Sequence, residues 1–287
     1  MIHSSLDTPA GKRNMSRTKM NSLHGCIALI TGASSGIGAE MARQLAPHAR
    51  VLVLVARRSD RLAALKTELE RSGMEIQCHA ADLADGAQVE RLLAALEESG
   101  TKVDFLINNA GLGDHGRFED SDWKRVQAML DLNIKALTRL THALLPGLIR
   151  SGRGAILNVS SIVAFLPMPN MAVYAASKAY VSSFTEALRA ELRGTGVAVS
   201  SLCPGPVETE FGAVAKRAGE EDAAPAPDFL KLPVERIVRD GLRGLERGRA
   251  RTIPGIQLAV LMFLTALVPI FLLRPFLGIN SRDARRK

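Results

Sequence analysis

The sequence is poor in cysteine and in aromatic residues, and both shortages exclude classes of protein. Its 287 residues include three cysteines, Cys26, Cys78 and Cys203, which lie far apart and form no CxxC or CxxH pair. Such a sparse set argues against a disulfide framework and indicates a reducing compartment. No histidine and cysteine cluster has the spacing of metal ligands, so we predict no metal site. At 4% aromatic residues, a stacking platform for single-stranded nucleic acid is also disfavoured.

The first 24 residues lack the apolar segment of a secretory signal peptide. They are polar and carry Lys12, Arg13, Arg17 and Lys19. We interpret residues 1–24 as a flexible basic leader and expect a cytoplasmic protein.

Positive charge is concentrated at the two ends of the chain. The formal net charge is +8, with +3 in residues 1–20 and +7 in residues 243–287, which leaves −2 for the residues between them. The body is therefore close to neutral, and the basic ends lack an aromatic or groove-reading motif. We expect no nucleic-acid partner.

Short apolar runs alternate with helical patterns from residue 25 onward. Continuous apolar runs are typical of strands buried on both faces of a parallel sheet, and the stripes between them, such as Leu62, Leu65 and Leu69, have helical spacing. Six such units predict one α/β domain over residues 25–253: a doubly wound parallel sheet of the Rossmann type, with about seven strands and helices on both faces. The predicted strands are Cys26–Ile30, Val51–Val55, Ile76–Ala80, Val103–Ile107, Ala155–Val159, Val197–Leu202 and a short Ala250–Ile253.

A glycine-rich turn joins the first predicted strand to the first helix. The segment Thr31–Gly38 reads TGASSGIG, a GxxxGxG spacing that differs from the common GxGxxG fingerprint. Glycines at such a turn let the backbone approach a pyrophosphate, and the helix N-terminus adds unpaired N–H groups. We therefore predict a dinucleotide-binding loop. Its predicted cofactor contacts are Gly32, Ser34, Ser35, Gly36, Ile37 and Gly38.

The residues that follow the second and third strands favour one cofactor. Proteins that prefer NAD carry an acidic residue at the tip of the second strand, whereas this strand ends in Arg57 and Arg58. A guanidinium group can hold a 2′-phosphate, although both arginines could be ordinary solvated charges. We predict NADP(H), with NAD(H) less favoured. Asp82, followed by Leu83, is placed to accept a hydrogen bond from the adenine amino group or to cap a helix.

A tyrosine and a lysine are spaced for acid–base chemistry. Tyr174 and Lys178 lie four residues apart at the start of a helical pattern, so they share a face. A free tyrosine has a pKa of about 10, and a neighbouring ammonium group draws this pKa downward. Ser161, thirteen residues earlier, follows a predicted strand and could donate a hydrogen bond to a carbonyl oxygen.

Together these features resemble the short-chain dehydrogenase/reductase family, in its single-domain, NADP-preferring branch. The resemblance covers about residues 25–253 and includes six motifs in the family's order. They are TGASSGIG at Thr31–Gly38, NNAG at Asn108–Gly111, the Asn133 of LDLN, NVSS at Asn158–Ser161, YAASK at Tyr174–Lys178 and PGPVET at Pro204–Thr209.

The resemblance implies roles for four catalytic residues. Tyr174 would be the general acid in carbonyl reduction and the base in the reverse direction. Lys178 would hold the nicotinamide ribose and lower the pKa of Tyr174. Ser161, rather than Ser160, would polarise the substrate oxygen, and Asn133 would position a water in the proton relay.

The resemblance also implies further cofactor contacts and an oligomer. One group of contacts follows the fourth strand near the adenosine ribose, and another lies near the nicotinamide. The residues are Asn109, Ala110 and Gly111 in the first group, and Pro204, Gly205, Val207 and Thr209 in the second. We expect a homodimer or homotetramer.

Two segments extend beyond the family pattern. We interpret Gly212–Pro227 as part of a mobile lid over about residues 208–232. Residues 254–287 form an extension in which Ile256–Leu273 is uncharged and flanked by basic residues. The run is borderline in length for a bilayer span and contains Pro269, so we favour an apolar helix lying on a membrane surface or a re-entrant hairpin. The alternatives are a helix that covers the substrate cleft or one that binds a second subunit.

The sequence thus predicts an NADP(H)-dependent oxidoreductase that interconverts a carbonyl and a secondary alcohol. The apolar extension favours a lipophilic small-molecule substrate, such as a fatty-acyl, steroid-like or other lipid carbonyl, and membrane association through residues 254–287. The alternative is a membrane-peripheral NADP-binding regulatory protein with little turnover.

Overall fold

Seven parallel strands form one sheet in the order β3-β2-β1-β4-β5-β6-β7. The structure is a computed structural model that describes residues 24–70, 74–217, 230–269 and 272. The predicted strands are confirmed, and no boundary differs from the sequence-based one by more than two residues. The strands are β1 Ile27–Thr31, β2 Val51–Ala56, β3 Glu75–Ala80, β4 Phe105–Asn108, β5 Ala155–Val159, β6 Ala198–Leu202 and β7 Arg251–Thr252.

Helices cover both faces of this sheet, as the sequence predicts. Alternate residues of β1 point to opposite faces: Ile30 packs with helices α1, α2 and α8, and Leu29 packs with α3, α5 and α6. Both side chains are fully buried. The helices are α1 Gly36–Leu45, α2 Ser59–Leu69, α3 Gly86–Glu98, α4 Trp123–Leu130, α5 Leu137–Ser151, α6 Ala172–Glu191, α7 Glu210–Ala215, α8 Val234–Glu246 and α9 Ile256–Leu267.

The strand order reverses between β1 and β4. The chain moves outward from β1 through β2 to β3 and then returns to pair β4 against the other edge of β1. The loops that leave neighbouring strands diverge at such a point and open a crevice at the carboxyl ends. This crevice is where a ligand is expected.

The helical stripe predicted around Asn133 contains a local distortion. The helices α4 and α5 are continuous through Asp131–Ala136, where the backbone takes a π-helical turn. The apolar spacing through Leu130 and Ile134 did not reveal this turn. It places the Asn133 side chain inside the protein, with 1% of its surface exposed, and π turns of this kind often lie at functional sites.

An apolar helix, α9, follows β7. Leu258 and Met262 are buried, whereas most other large side chains of this helix are exposed. No helix in the described ranges is long and apolar enough to cross a bilayer. Residues 1–23 of the leader, residues 218–229 of the lid, and residues 270, 271 and 273–287 of the extension lie outside those ranges. Membrane contact through the extension stays a prediction.

Close packing of α8 on the sheet gives a stability test. A Cβ at Gly244 would overlap the side chain of Thr252 in β7, so this side chain or the helix would have to shift. We expect Gly244→Ala to lower the free energy of unfolding by about 1–3 kcal/mol. Gly86→Ala is the control, because a Cβ there meets no atom within 4 Å. Thermal unfolding that leaves Gly244→Ala as stable as Gly86→Ala would contradict this packing.

Candidate active site

A cleft of about 420 Å³ lies at the carboxyl ends of the central strands. Nearly all predicted site residues line it, although they come from segments far apart in sequence. The exceptions are Gly38 and Asn133, which lie behind its wall. The predicted residues in the wall are Gly32, Ser34, Ser35, Gly36, Ile37, Arg57, Arg58, Asp82, Leu83, Asn109, Ala110, Gly111, Ser161, Tyr174, Lys178, Pro204, Gly205, Val207 and Thr209.

Hydrogen bonds from the NNAG segment hold the glycine loop in place. The Thr31 hydroxyl accepts the backbone N–H groups of Asn109 and Ala110, both at 3.0 Å. The Asn109 amide donates back to the carbonyls of Thr31 and Gly32 at 2.9 and 3.3 Å. A Cβ at Gly38 would overlap the Gly32 carbonyl. Gly38 therefore acts through close packing, and the Asn109 side chain supports the loop from behind.

Arginine and serine side chains form a cationic corner at the tip of β2. Arg58 Nη2 donates to the hydroxyls of Ser34 and Ser35 at 3.2 and 2.9 Å. Arg57 lies beside it, with 61% of its side chain exposed and Nη1 4.0 Å from Asp82. A guanidinium group and hydroxyls are the donors that bind phosphate oxygens, so this corner fits the 2′-phosphate of NADP(H).

The structure excludes one of the two roles predicted for Asp82, that of a helix cap. Asp85, and not Asp82, caps α3, because its carboxylate accepts the N–H of Ala87. Asp82 Oδ1 instead accepts the N–H of Ala84 at 3.0 Å and shapes the turn after β3. Asp82 still lines the cleft, so its contact with adenine stays a prediction.

Tyr174, Ser161 and Lys178 meet at the other end of the cleft. The Tyr174 hydroxyl is hydrogen-bonded to Ser161, yet burial raises the pKa of Tyr174 to about 12. Burial also lowers the pKa of Lys178 to about 8. The Lys178 ammonium group lies 5.8 Å from the centre of the Tyr174 ring and donates to the Val159 carbonyl at 2.9 Å.

The raised pKa of Tyr174 differs from the sequence-based expectation that Lys178 lowers it. The reason is desolvation: the phenolate loses more from burial than the Ser161 hydrogen bond returns. The sequence shows that the two residues are four positions apart, but it does not show that the surrounding residues bury both side chains.

Buried amides and hydroxyls support the catalytic end from behind. Asn133 accepts the Leu112 N–H at 2.9 Å and donates to the Ser177 hydroxyl at 3.0 Å, which joins the π turn to α6. Its water-positioning role stays a prediction. Ser160 Oγ donates to the Lys178 carbonyl at 2.9 Å. That contact keeps the Ser160 hydroxyl on the α6 backbone, which supports the choice of Ser161.

Helix α7 closes one side of the cleft with residues that the sequence pattern does not reveal. The Phe211 ring lies 5.5 Å from the Tyr174 ring, and Glu210 and Val214 also line the wall. Arg217 anchors the end of this helix through two bonds to the buried Asp114, at 2.6 and 3.1 Å. The described start of the predicted lid is thus an anchored helix. The available signal was Thr209, which caps α7 as a threonine often does.

The helix α9 packs behind this wall. Leu258 contacts Gly205 of the loop after β6, and α9 also contacts the 3₁₀ turn Ile162–Phe165. None of the described α9 residues lines the cleft itself. The helix therefore supports the cleft from outside and does not cover it.

A doubly wound parallel sheet with a glycine-rich loop at its switch point defines a Rossmann-type fold, in which a dinucleotide binds at the carboxyl ends of the strands. A family model described as short chain dehydrogenase matches residues 26–219, and this chain belongs to that family. A sulfoacetaldehyde reductase of Chromohalobacter salexigens is 45% identical over 200 residues, which are 68% of this chain and 77% of the relative.

Solved structures show the same fold. A short-chain dehydrogenase from Sphingobium yanoikuyae in complex with NADPH is 32% identical, with a TM-score of 0.71 over 85% of this chain and 96% of the other. A bulky-bulky ketone specific alcohol dehydrogenase from Comamonas testosteroni is 29% identical, with a TM-score of 0.69 over 85% and 95% of the two chains. The predicted family and fold are confirmed.

The raised pKa of Tyr174 can be measured directly. The chain has two tyrosines, so Tyr180→Phe leaves Tyr174 as the sole phenol. In the folded, cofactor-free variant we expect the phenol to stay protonated at pH 10, because its pKa is raised to about 12. Ultraviolet absorbance of the phenolate gives the measurement. The same variant unfolded in urea is the control and should ionise at about pH 10; half-ionisation of the folded variant at that pH would contradict the burial argument.

Proposed function

We propose that this protein is an NADP(H)-dependent oxidoreductase that interconverts a carbonyl group and a secondary alcohol. The observation that carries the proposal is the meeting of Tyr174, Ser161 and Lys178 at one end of a cleft whose other end holds Arg58 and the glycine loop. A proton donor and a dinucleotide site in one cleft are the two requirements for reducing a carbonyl.

Three side chains of the protein hold, donate and compensate the proton that the reaction needs. When bound, NADPH supplies the hydride. The raised pKa keeps Tyr174 protonated at neutral pH, so it is ready to donate to the substrate oxygen. Ser161 donates a hydrogen bond to the same oxygen and fixes its position. Lys178, with a pKa of about 8, is mostly charged at neutral pH and stabilises the phenolate that forms as Tyr174 gives up its proton.

Two observations support NADP(H) over NAD(H). The tip of β2 carries Arg57 and Arg58 in place of an acidic residue, and Arg58 is held toward the glycine loop by two serine hydroxyls. A ribose-binding acid would repel a 2′-phosphate, whereas a guanidinium group attracts it. The similar dehydrogenase from Sphingobium yanoikuyae is in complex with NADPH.

The wall near Tyr174 supports an uncharged, apolar substrate. Apart from Lys178, the described charged residues of the cleft lie at its nucleotide end. A sulfonate or carboxylate at the catalytic end would lose its hydration with Lys178 as the one described cation in that part of the lining, and Lys178 already donates to the Val159 carbonyl, so its burial is costly. We therefore propose a lipophilic ketone or lipid carbonyl, closer in kind to a bulky ketone than to sulfoacetaldehyde. The apolar lining consists of Leu112, Val163, Met171, Phe211 and Val214.

Removing one hydroxyl tests the general acid. We expect Tyr174→Phe to lower kcat for ketone reduction by about 10²–10⁴-fold, because no proton donor remains, while the affinity for NADPH is retained. Tyr180→Phe is the matched control, since Tyr180 hydrogen-bonds Thr138 and stacks on Phe184 outside the cleft. Full activity of Tyr174→Phe would refute the assignment. Tight NADPH binding by the wild type without turnover of any carbonyl would instead favour the regulatory alternative.

A substrate series tests the apolar wall. We expect kcat/KM for uncharged aliphatic or aromatic ketones to exceed that for sulfoacetaldehyde by at least about tenfold, because each buried methylene is worth roughly 1–3 kcal/mol and an unpaired anion is penalised. Val214→Arg should narrow this difference by placing a cation in the wall. A wild-type preference for the anionic aldehyde would show that the substrate proposal is wrong while leaving the Tyr174 assignment intact.

A further inference from the structure

A carboxylate from α7 occupies the cationic corner beside the glycine loop. Glu210 Oε2 accepts a hydrogen bond from Arg58 Nη1, and Glu210 Oε1 accepts one from Arg61 Nη1, both at 2.8 Å. Glu210 lies 152 residues from Arg58 in sequence, so the contact depends wholly on the fold. Each carboxylate oxygen thus binds a different arginine.

The Glu210 carboxylate is ionised at neutral pH, but another anion can replace it at Arg58. Hydrogen bonds from Arg58 and then Arg61 hold the pKa of the Glu210 carboxyl below its ordinary value, so it is ionised at neutral pH. Its side chain is 44% exposed, and that of Arg58 is 42% exposed. Exposed ion pairs are weak because water screens them, so another anion can replace one of the partners.

Arg58 cannot serve two anions through the same group. Its Nε and Nη2 already face the hydroxyls of Ser34 and Ser35, and its Nη1 faces Glu210. A 2′-phosphate that bound Arg58 would come close to the Glu210 carboxylate, and like charges at contact repel each other. The two anions therefore compete.

We propose that Glu210 determines cofactor specificity as a resident anion that competes with the 2′-phosphate for Arg58. NADP(H) displaces the carboxylate from Arg58, and Arg61 retains it, whereas NAD(H) has no phosphate there and leaves the pair intact. Glu210 thereby limits how strongly the protein prefers NADP(H). The inference rests on the proposed function in one respect: the 2′-phosphate binds at Arg58.

The same displacement reaches the catalytic end. Glu210 is the first residue of α7 and directly precedes Phe211, whose ring lies 5.5 Å from that of Tyr174. Arg217 and Asp114 fix the far end of the helix, so a shift of Glu210 from Arg58 toward Arg61 would move the near end only. The phosphate end of the cofactor is thus connected to the wall over Tyr174.

The test compares cofactor binding by the full chain with and without the Glu210 charge. We expect Glu210→Gln to bind NADPH about three- to tenfold tighter than the wild type in isothermal titration calorimetry, because the competing anion is gone, with NADH affinity unchanged. The probe 2′,5′-ADP should show the same gain, which separates the effect from contacts of the nicotinamide end.

A control variant at another exposed ion pair shows whether the gain in NADPH affinity is specific to Glu210. Glu90 forms an equally exposed pair with Arg139, at 2.6 and 2.7 Å, on α3 and α5 away from the cleft, so Glu90→Gln should leave both affinities as they are. Unchanged or weaker NADPH binding by Glu210→Gln, or an equal gain for NADH, would overturn the inference. Wild-type protein that binds NADH as tightly as NADPH would contradict the proposed cofactor preference instead, and the 2′,5′-ADP series would still decide the role of Glu210.

Discussion

The hydrogen bonds of Thr31 join the end of β1 to the end of β4, where the cleft opens. Thr31 is the last residue of β1. Its hydroxyl donates to the Ile107 carbonyl in β4 at 3.3 Å and accepts two backbone N–H groups from the residues after that strand. The chain diverges here, because the strand order reverses between β1 and β4. Together with the Asn109 amide, which donates to the Thr31 and Gly32 carbonyls, this tie fixes the glycine loop relative to the NNAG segment at the edge of the cleft.

Burial favours the uncharged form of both catalytic side chains. Desolvation raises the pKa of Tyr174 and lowers that of Lys178, so it favours the neutral form of each side chain in the absence of cofactor. The two groups are therefore not a preformed ion pair. Their chemistry depends on what enters the cleft, since a ligand that changes the solvation of this end changes the balance between the two protonation states.

Strands and helices that follow a local residue pattern could be predicted from the sequence. Contacts between residues far apart in the chain could not. Strands buried on both faces leave continuous apolar runs, so β2 and β5 were predicted to within a residue. Helical periodicity was enough to bring Tyr174 and Lys178 together. The bond between Arg58 and Glu210 joins residues 152 positions apart, and no local pattern reports such a contact. The π turn at Asn133 was hidden for a related reason: its apolar spacing matches that of a regular helix.

The contact between Leu258 and Gly205 joins the start of the apolar segment to the α/β sheet domain. Composition shifts abruptly at Pro254, from a mixed sequence to an uncharged one, and suggests an appendage. Packing continues across that shift, because α9 rests on the loop after β6. The first turns of the apolar segment therefore pack against the α/β domain in the structure. A partner on the exposed side of α9 would therefore bind a helix that packs on two parts of the cleft wall, the loop after β6 and the 3₁₀ turn Ile162–Phe165.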